Sequence, residues 1–86
     1  MDELYTAITF YDEEKFMEAY ELFYPLATSK KNPEAQFYLG MMYFYGEGLT
    51  ADLEQAKDWW KKATRNGHVD AAYRLSELET STKTTF

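Results

Sequence analysis

Shifted by 36 residues, this chain falls into register with itself. Phe23 then lies on Trp59, Tyr24 on Trp60, Ala27-Thr28 on Ala63-Thr64, Ala35 on Ala71 and Leu39 on Leu75. The small Gly40 lies on the small Ser76. A period of this length belongs to stacked helical hairpins, in which no single unit can bury its own apolar face. Small residues recurring at one position mark a place where two backbones must approach closely.

The punctuation of the chain agrees with that period. Asn32-Pro33 reads as an N-cap followed by proline at the first helical position, where the missing N–H costs nothing. Gly46-Glu47-Gly48 and Asn66-Gly67 read as helix C-termini, because glycine enters the left-handed cap conformation freely. Asp52 followed by Gln55 has the form of a capping box. Pro25 breaks the pattern. It sits within an apolar-periodic stretch and predicts a kink or a fresh helix start.

Between these marks lie five helical segments. The first, about Glu3 to Tyr11, places Leu4, Ala7, Ile8 and Tyr11 on one face. The second, about Glu13 to Lys30, carries Phe16, Ala19, Tyr20, Phe23, Leu26 and Ala27 at 3- and 4-residue spacing. Pro33 to Tyr45 offers Ala35, Leu39, Met42 and Tyr43. Leu53 to Arg65 offers Ala56, Trp59, Trp60 and Ala63, and Val69 to Glu79 offers Ala71, Ala72, Leu75 and Leu78. No segment alternates as a half-buried strand does. The expected fold is all-α: an α/α superhelix, or solenoid, of about two and a half helix-turn-helix repeats in five helices. Residues 1–79 form its single domain, and 80–86 a polar, frayed tail.

Composition bounds the function. The 86 residues allow one core, and an apolar share of 45% with aromatics at 19% indicates a folded chain. The formal charge of −6 repels phosphate backbones and anionic lipids, so neither nucleic acid nor membrane is an expected partner. The charge keeps the domain soluble or suits it to a basic protein partner. The absence of cysteine excludes disulfides, thiolate metal sites and a cysteine nucleophile. Met1-Asp2-Glu3-Leu4 has no basic leader character, and no apolar run reaches the roughly 18 residues of a membrane span, so a cytoplasmic location is expected.

The residues Ala35-Gln36-Phe37-Tyr38-Leu39-Gly40-Met41-Met42-Tyr43-Phe44-Tyr45-Gly46-Glu47-Gly48, then Ala56, Trp59, Trp60 and Ala63, then Gly67 and Ala71, closely resemble one full Sel-one-like repeat. This relative of the tetratricopeptide repeat joins its helices through a longer, glycine-marked turn. The match runs from about Pro33 to Gly67. The flanks resemble a preceding second helix and a following first helix. Lys31 stands where the repeat expects a glycine such as Gly67, and Ser76 replaces the glycine of the Leu-Gly pair. The resemblance implies a scaffold for protein–protein contacts, often an adaptor, and some bacterial members resemble toxin inhibitors. The β-lactam binding linked to cysteine-rich members does not carry over to a chain without cysteine.

Chemistry finds no foothold. His68 is the only histidine, follows Gly67 at a helix joint, and has no second ligand type to complete a metal site or triad. It reads as a turn or cap residue. Asp12, Glu13 and Glu14 read as charges favoured by the dipole where the second helix begins. Gly46-Glu47-Gly48 lacks the Lys and Ser or Thr of a phosphate loop. No catalytic residue, metal or cofactor is expected, and the chain is not expected to be an enzyme. Of the adjacent tryptophans, Trp59 is expected in the core and Trp60 between helices, because neighbouring positions point about 100° apart.

The remaining signal is a surplus of rings. With Leu39, Gly40 and Tyr43 facing the core, Phe37, Met41 and Phe44 turn toward the groove side, and Tyr73 is the equivalent of Phe37. Aromatic and Met side chains at a groove are typical interface anchors. The expected function is a non-catalytic protein-interaction module with an aromatic groove and an acidic rim, binding a protein or peptide of basic character. The alternatives are a small acidic inhibitor that blocks a basic partner, and a structural unit that self-associates through its terminal helix, where Leu75 and Leu78 lack a covering helix.

Overall fold

The computed structural model describes residues 2–83, with side chains through Thr80. Five helices follow one another: α1 Glu3–Asp12, α2 Phe16–Thr28, α3 Pro33–Tyr45, α4 Leu53–Arg65 and α5 Val69–Lys83. The described residues hold no strand. Each helix packs chiefly on the next in order, as in a solenoid.

The caps explain the starts. Asp2 accepts from the Leu4 amide, Asn32 from that of Ala35 at 3.0 Å, and Asp52 from those of Glu54 and Gln55. The ends share one device. Glu14, Lys31, Gly46 and Gly67 all take left-handed backbone angles. The amide that follows each one turns back to a carbonyl inside the helix: Lys15 to Phe10, Asn32 to Leu26, Glu47 to Met42 and His68 to Ala63. Two of these ends use glycine, as expected; Glu14 and Lys31 adopt the conformation without it.

Three local expectations are corrected. Of the two outcomes expected at Pro25, a fresh helix start does not occur, and α2 runs through it from Phe16 to Thr28. Asp12, Glu13 and Glu14 do not open the second helix. Asp12 closes α1, the other two form the turn, and the acidic residue in the first turn of α2 is Glu18. Glu13 instead meets the exposed Lys15 ammonium at 3.6 Å. The fifth helix reaches Lys83, beyond the expected end near Glu79; residues 84–86 of the tail lie outside the described residues.

Two apolar clusters form the interior. The first gathers Ala7, Ala19, Phe23, Ala27, Ala35, Leu39, Met42 and Trp59. The second gathers Trp60, Ala63 and Ala71, with Phe37, Met41, Phe44, Leu75 and Leu78 packed around them. The adjacent indoles of α4 thus serve different interiors, as the helical rotation between neighbouring residues requires. Trp60 is the more deeply buried of the two. Its Nε1–H donates to the Phe37 carbonyl at 3.2 Å, and a Cβ at Gly40 would stand 2.2 Å from that nitrogen. The close approach at Gly40 is therefore that of an indole to the α3 backbone, not of two backbones as expected. Tyr24, the repeat equivalent of Trp60, remains 45% exposed. Helix α1 contains no glycine that would open such a slot for it.

Candidate functional site

The α3–α5 face is assembled by the joint that precedes α5. His68 heads that helix, and its Nδ1 accepts from the Ala71 amide at 3.0 Å. Nδ1 must carry a lone pair to do so, which leaves the ring hydrogen on Nε2. Nε2 lies 2.7 Å from Glu34 Oε1 and donates to it. The imidazole also stacks on Phe37, with ring centroids 4.4 Å apart and planes 17° from parallel. One side chain therefore caps α5 and clamps it to the first turn of α3. The capping role expected of His68 is what its geometry displays.

Phe37 and Tyr73 line one cavity of about 280 Å³, together with Asp70, Arg74 and Glu77. The Arg74 guanidinium lies 5.8 Å from the Phe37 ring centroid, within cation–π range. Tyr73 is 65% exposed. Phe44 lines a second cavity of about 520 Å³ with Trp60, Ser76, Leu78 and Thr80, and Arg74 and Glu77 border both. Met41 borders neither and packs into the second cluster. Of the four residues singled out, two share a cavity, one lines its neighbour and one lies behind them. Leu75 and Leu78 are half-buried against the same cluster.

Charges near this face are mixed. Asp70 and Glu77 flank Arg74 at the smaller cavity. Burial raises the Tyr38 phenol above its ordinary range, with the negative charge of Glu34 adding to the effect. Among the described residues no group of three or more His, Asp or Glu side chains is placed to hold a metal ion. No helix among them is long and apolar enough to cross a membrane.

Three features escaped the sequence reading. Gln36 is buried, donates from Nε2 to the Ala27 carbonyl at 3.1 Å and accepts from Asn66 Nδ2 at 3.1 Å. Arg74 joins two cavities. A third cavity, of about 420 Å³, lies beside Trp59. The sequence signal for Gln36 was its place between Ala35 and Leu39 on a buried stripe; the others depend on which helices meet.

The model of the Sel1 repeat matches residues 33–68, the segment that runs from the Asn32 cap through α4 to His68. Residues 33–68 are similar to a Sel1 repeat. The glycine-capped turn at Gly46 and Gly40 beneath Trp60 fall within that matched segment. Curated relatives match part of the chain. An exopolysaccharide production negative regulator of Rhizobium leguminosarum bv. viciae is 41% identical over 54 residues, 63% of this chain and 20% of that protein. Its namesake in Rhizobium meliloti (strain 1021) is 39% identical over the same length and the same shares. An uncharacterized protein of Neisseria meningitidis serogroup B is 38% identical over 61 residues, 71% of this chain and 13% of its own length. The chain thus spans about a fifth or less of the length of these relatives. No solved structure matches it significantly.

Proposed function

We propose that this Sel1-repeat chain is a non-catalytic adaptor that holds a protein or peptide segment across the α3–α5 face. Phe37 and Tyr73 anchor the partner, Phe44 extends the surface, and Met41 supports it from behind. The observation that carries this reading is Phe37 and Tyr73 at one cavity, with the Phe37 ring held in place by His68 and Arg74. A ring already ordered loses little freedom on binding, which is what an interface anchor needs. Asp70 and Glu77 supply the acidic rim, and a basic partner is drawn by them and by the net charge of −6. Helical repeats of this kind serve protein contacts, and two relatives are named as negative regulators, a role compatible with docking in place of chemistry.

The test is capture of partners from a native lysate by the wild-type chain, Tyr73→Ala and Phe37→Ala, each checked for unchanged helicity. Loss of the same captured proteins from both variants is expected. Equal capture by all three chains would remove the assignment.

A second reading rests on the cavity of about 520 Å³ beside α5. A further helix, supplied by a second copy, would fill it and cover Leu78 and Phe44. Sedimentation of the wild-type chain across a wide concentration range distinguishes the two: a strict monomer leaves only the adaptor reading.

A further inference from the structure

We propose that the cavity between the C-terminal ends of α2 and α4 is a second docking site, for an acidic peptide segment of a protein partner. An apolar side chain of the segment rests against Trp59 and Ala27, and its carboxylates meet Lys31, Lys62 and Arg65. The cavity measures about 420 Å³. It shares no lining residue with the two cavities of the α3–α5 face.

The lining states the chemistry of the occupant. Ala27 and Trp59 are buried and apolar, with Thr28 beside them. The inner polar group is Gln36, whose amide is already satisfied by the Ala27 carbonyl and the Asn66 side chain. No carboxylate borders the cavity, whereas Lys31, Lys62 and Arg65 all do. Neither of the two ion pairs among the described residues involves these three cations. The Lys62 ammonium lies 4.9 Å from the Trp59 ring centroid, within cation–π range at the edge of the cavity.

Lys31 carries the argument further. Its φ is 52°, and the repeat-equivalent Gly67 has a φ of 93°. Glycine adopts such angles freely, whereas a lysine is strained there. The charge that this position places on the cavity is absent at its glycine equivalent.

The dipole of α4 favours cations in its last turn, where Lys62 and Arg65 lie, and it helps to hold them at the cavity. Lys30, Lys31, Lys62 and Arg65, four of the chain's nine basic residues, fall in or just beyond the last turns of α2 and α4. Three of the nine basic residues of an acidic molecule thus border one cavity, with Trp59 and Ala27 as its apolar wall. An acidic segment gains both a charge partner and a place for one apolar side chain, with Arg65 able to take a carboxylate on two donors.

The test titrates the isotope-labelled full chain with a blocked hexapeptide, acetyl-Glu-Leu-Glu-Glu-Leu-Glu-amide, observed by NMR. Saturable shifts are expected at the Trp59 indole N–H and at the Gln36 and Asn66 side-chain amides. Charge reversal at the exposed Lys62 and Arg65 should weaken the peptide by about tenfold or more. Lys31→Gly should raise the melting temperature while weakening the peptide, a split that a purely structural lysine would not produce. A Gln-for-Glu peptide binding the wild-type chain equally well would overturn the proposal, as would shifts confined to Phe37 and Tyr73. So would the same shifts arising on concentration alone and vanishing in the charge-reversed chain, since the occupant would then be a second copy.

Discussion

Trp60 occupies the space that any side chain at position 40 would need. A Cβ added to Gly40 would lie 2.2 Å from Nε1 and 2.3 Å from Cδ1 of a ring that is almost wholly buried. The indole cannot withdraw, because its N–H is committed to the Phe37 carbonyl on the same helix. Gly40→Ala is therefore expected to destabilise the fold by about 2–3 kcal/mol, the upper part of the range for overpacking. Urea unfolding followed by tryptophan fluorescence checks this, and a loss below about 0.5 kcal/mol would show that α4 yields instead.

His68 makes its contribution through three contacts that can be separated. His68→Ala removes the cap on Ala71, the hydrogen bond to Glu34 and the stack on Phe37. A loss of about 1–2 kcal/mol is expected, in line with helix-capping substitutions. His68→Asn restores only the cap and should recover roughly half of it. Thermal melts of the three chains decide the matter.

Glu14 is an exposed residue at φ 63°, held there because its amide returns to the Tyr11 carbonyl and the next amide to Phe10. Removing its Cβ relieves the left-handed strain, offset in part by the greater freedom of glycine in the unfolded chain. Glu14→Gly should stabilise by about 0.5–1 kcal/mol. A destabilised variant would show that the turn is not strained.

Stability is expected to fall in alkaline solution. Burial, then a hydrogen bond to Tyr43, pushes the Tyr20 phenol from 10.0 up to about 12. Burial and the 2.6 Å hydrogen bond that Tyr11 donates to Glu47 raise Tyr11 in the same direction, and Tyr38 follows. Between pH 10 and about 12 the unfolded chain releases phenolic protons that the folded chain retains. Stability is thus fully present below pH 10 and declines as pH rises through that window. Melting temperatures in this range should drop less for the double variant Tyr11→Phe, Tyr20→Phe than for the wild-type chain.

The legible parts of this molecule are those whose cause lies within a few residues. Asn32 and Asp52 announce helix starts because a cap needs only its own backbone two or three positions ahead. Gly46 and Gly67 announce ends because left-handed angles favour glycine. Glu14 and Lys31 make the same turn without that signal, which is why the acidic run was placed on the wrong side of a helix boundary. At Pro25 the local cost was readable, while the burial of Phe23 and Ala27 on either side keeps α2 one helix across it.

By itself the sequence determined the helix count, the capping residues, the period and the apolar stripes, all consequences of local backbone chemistry and of 3.6-residue geometry. Tertiary structure alone decided that His68 joins α3 to α5 and that Lys31, Lys62 and Arg65 border one cavity. Those outcomes depend on how far apart helices settle and at what rotation. That is set by the volumes of facing side chains, such as the absent Cβ of Gly40, and not by any residue's neighbours in the chain.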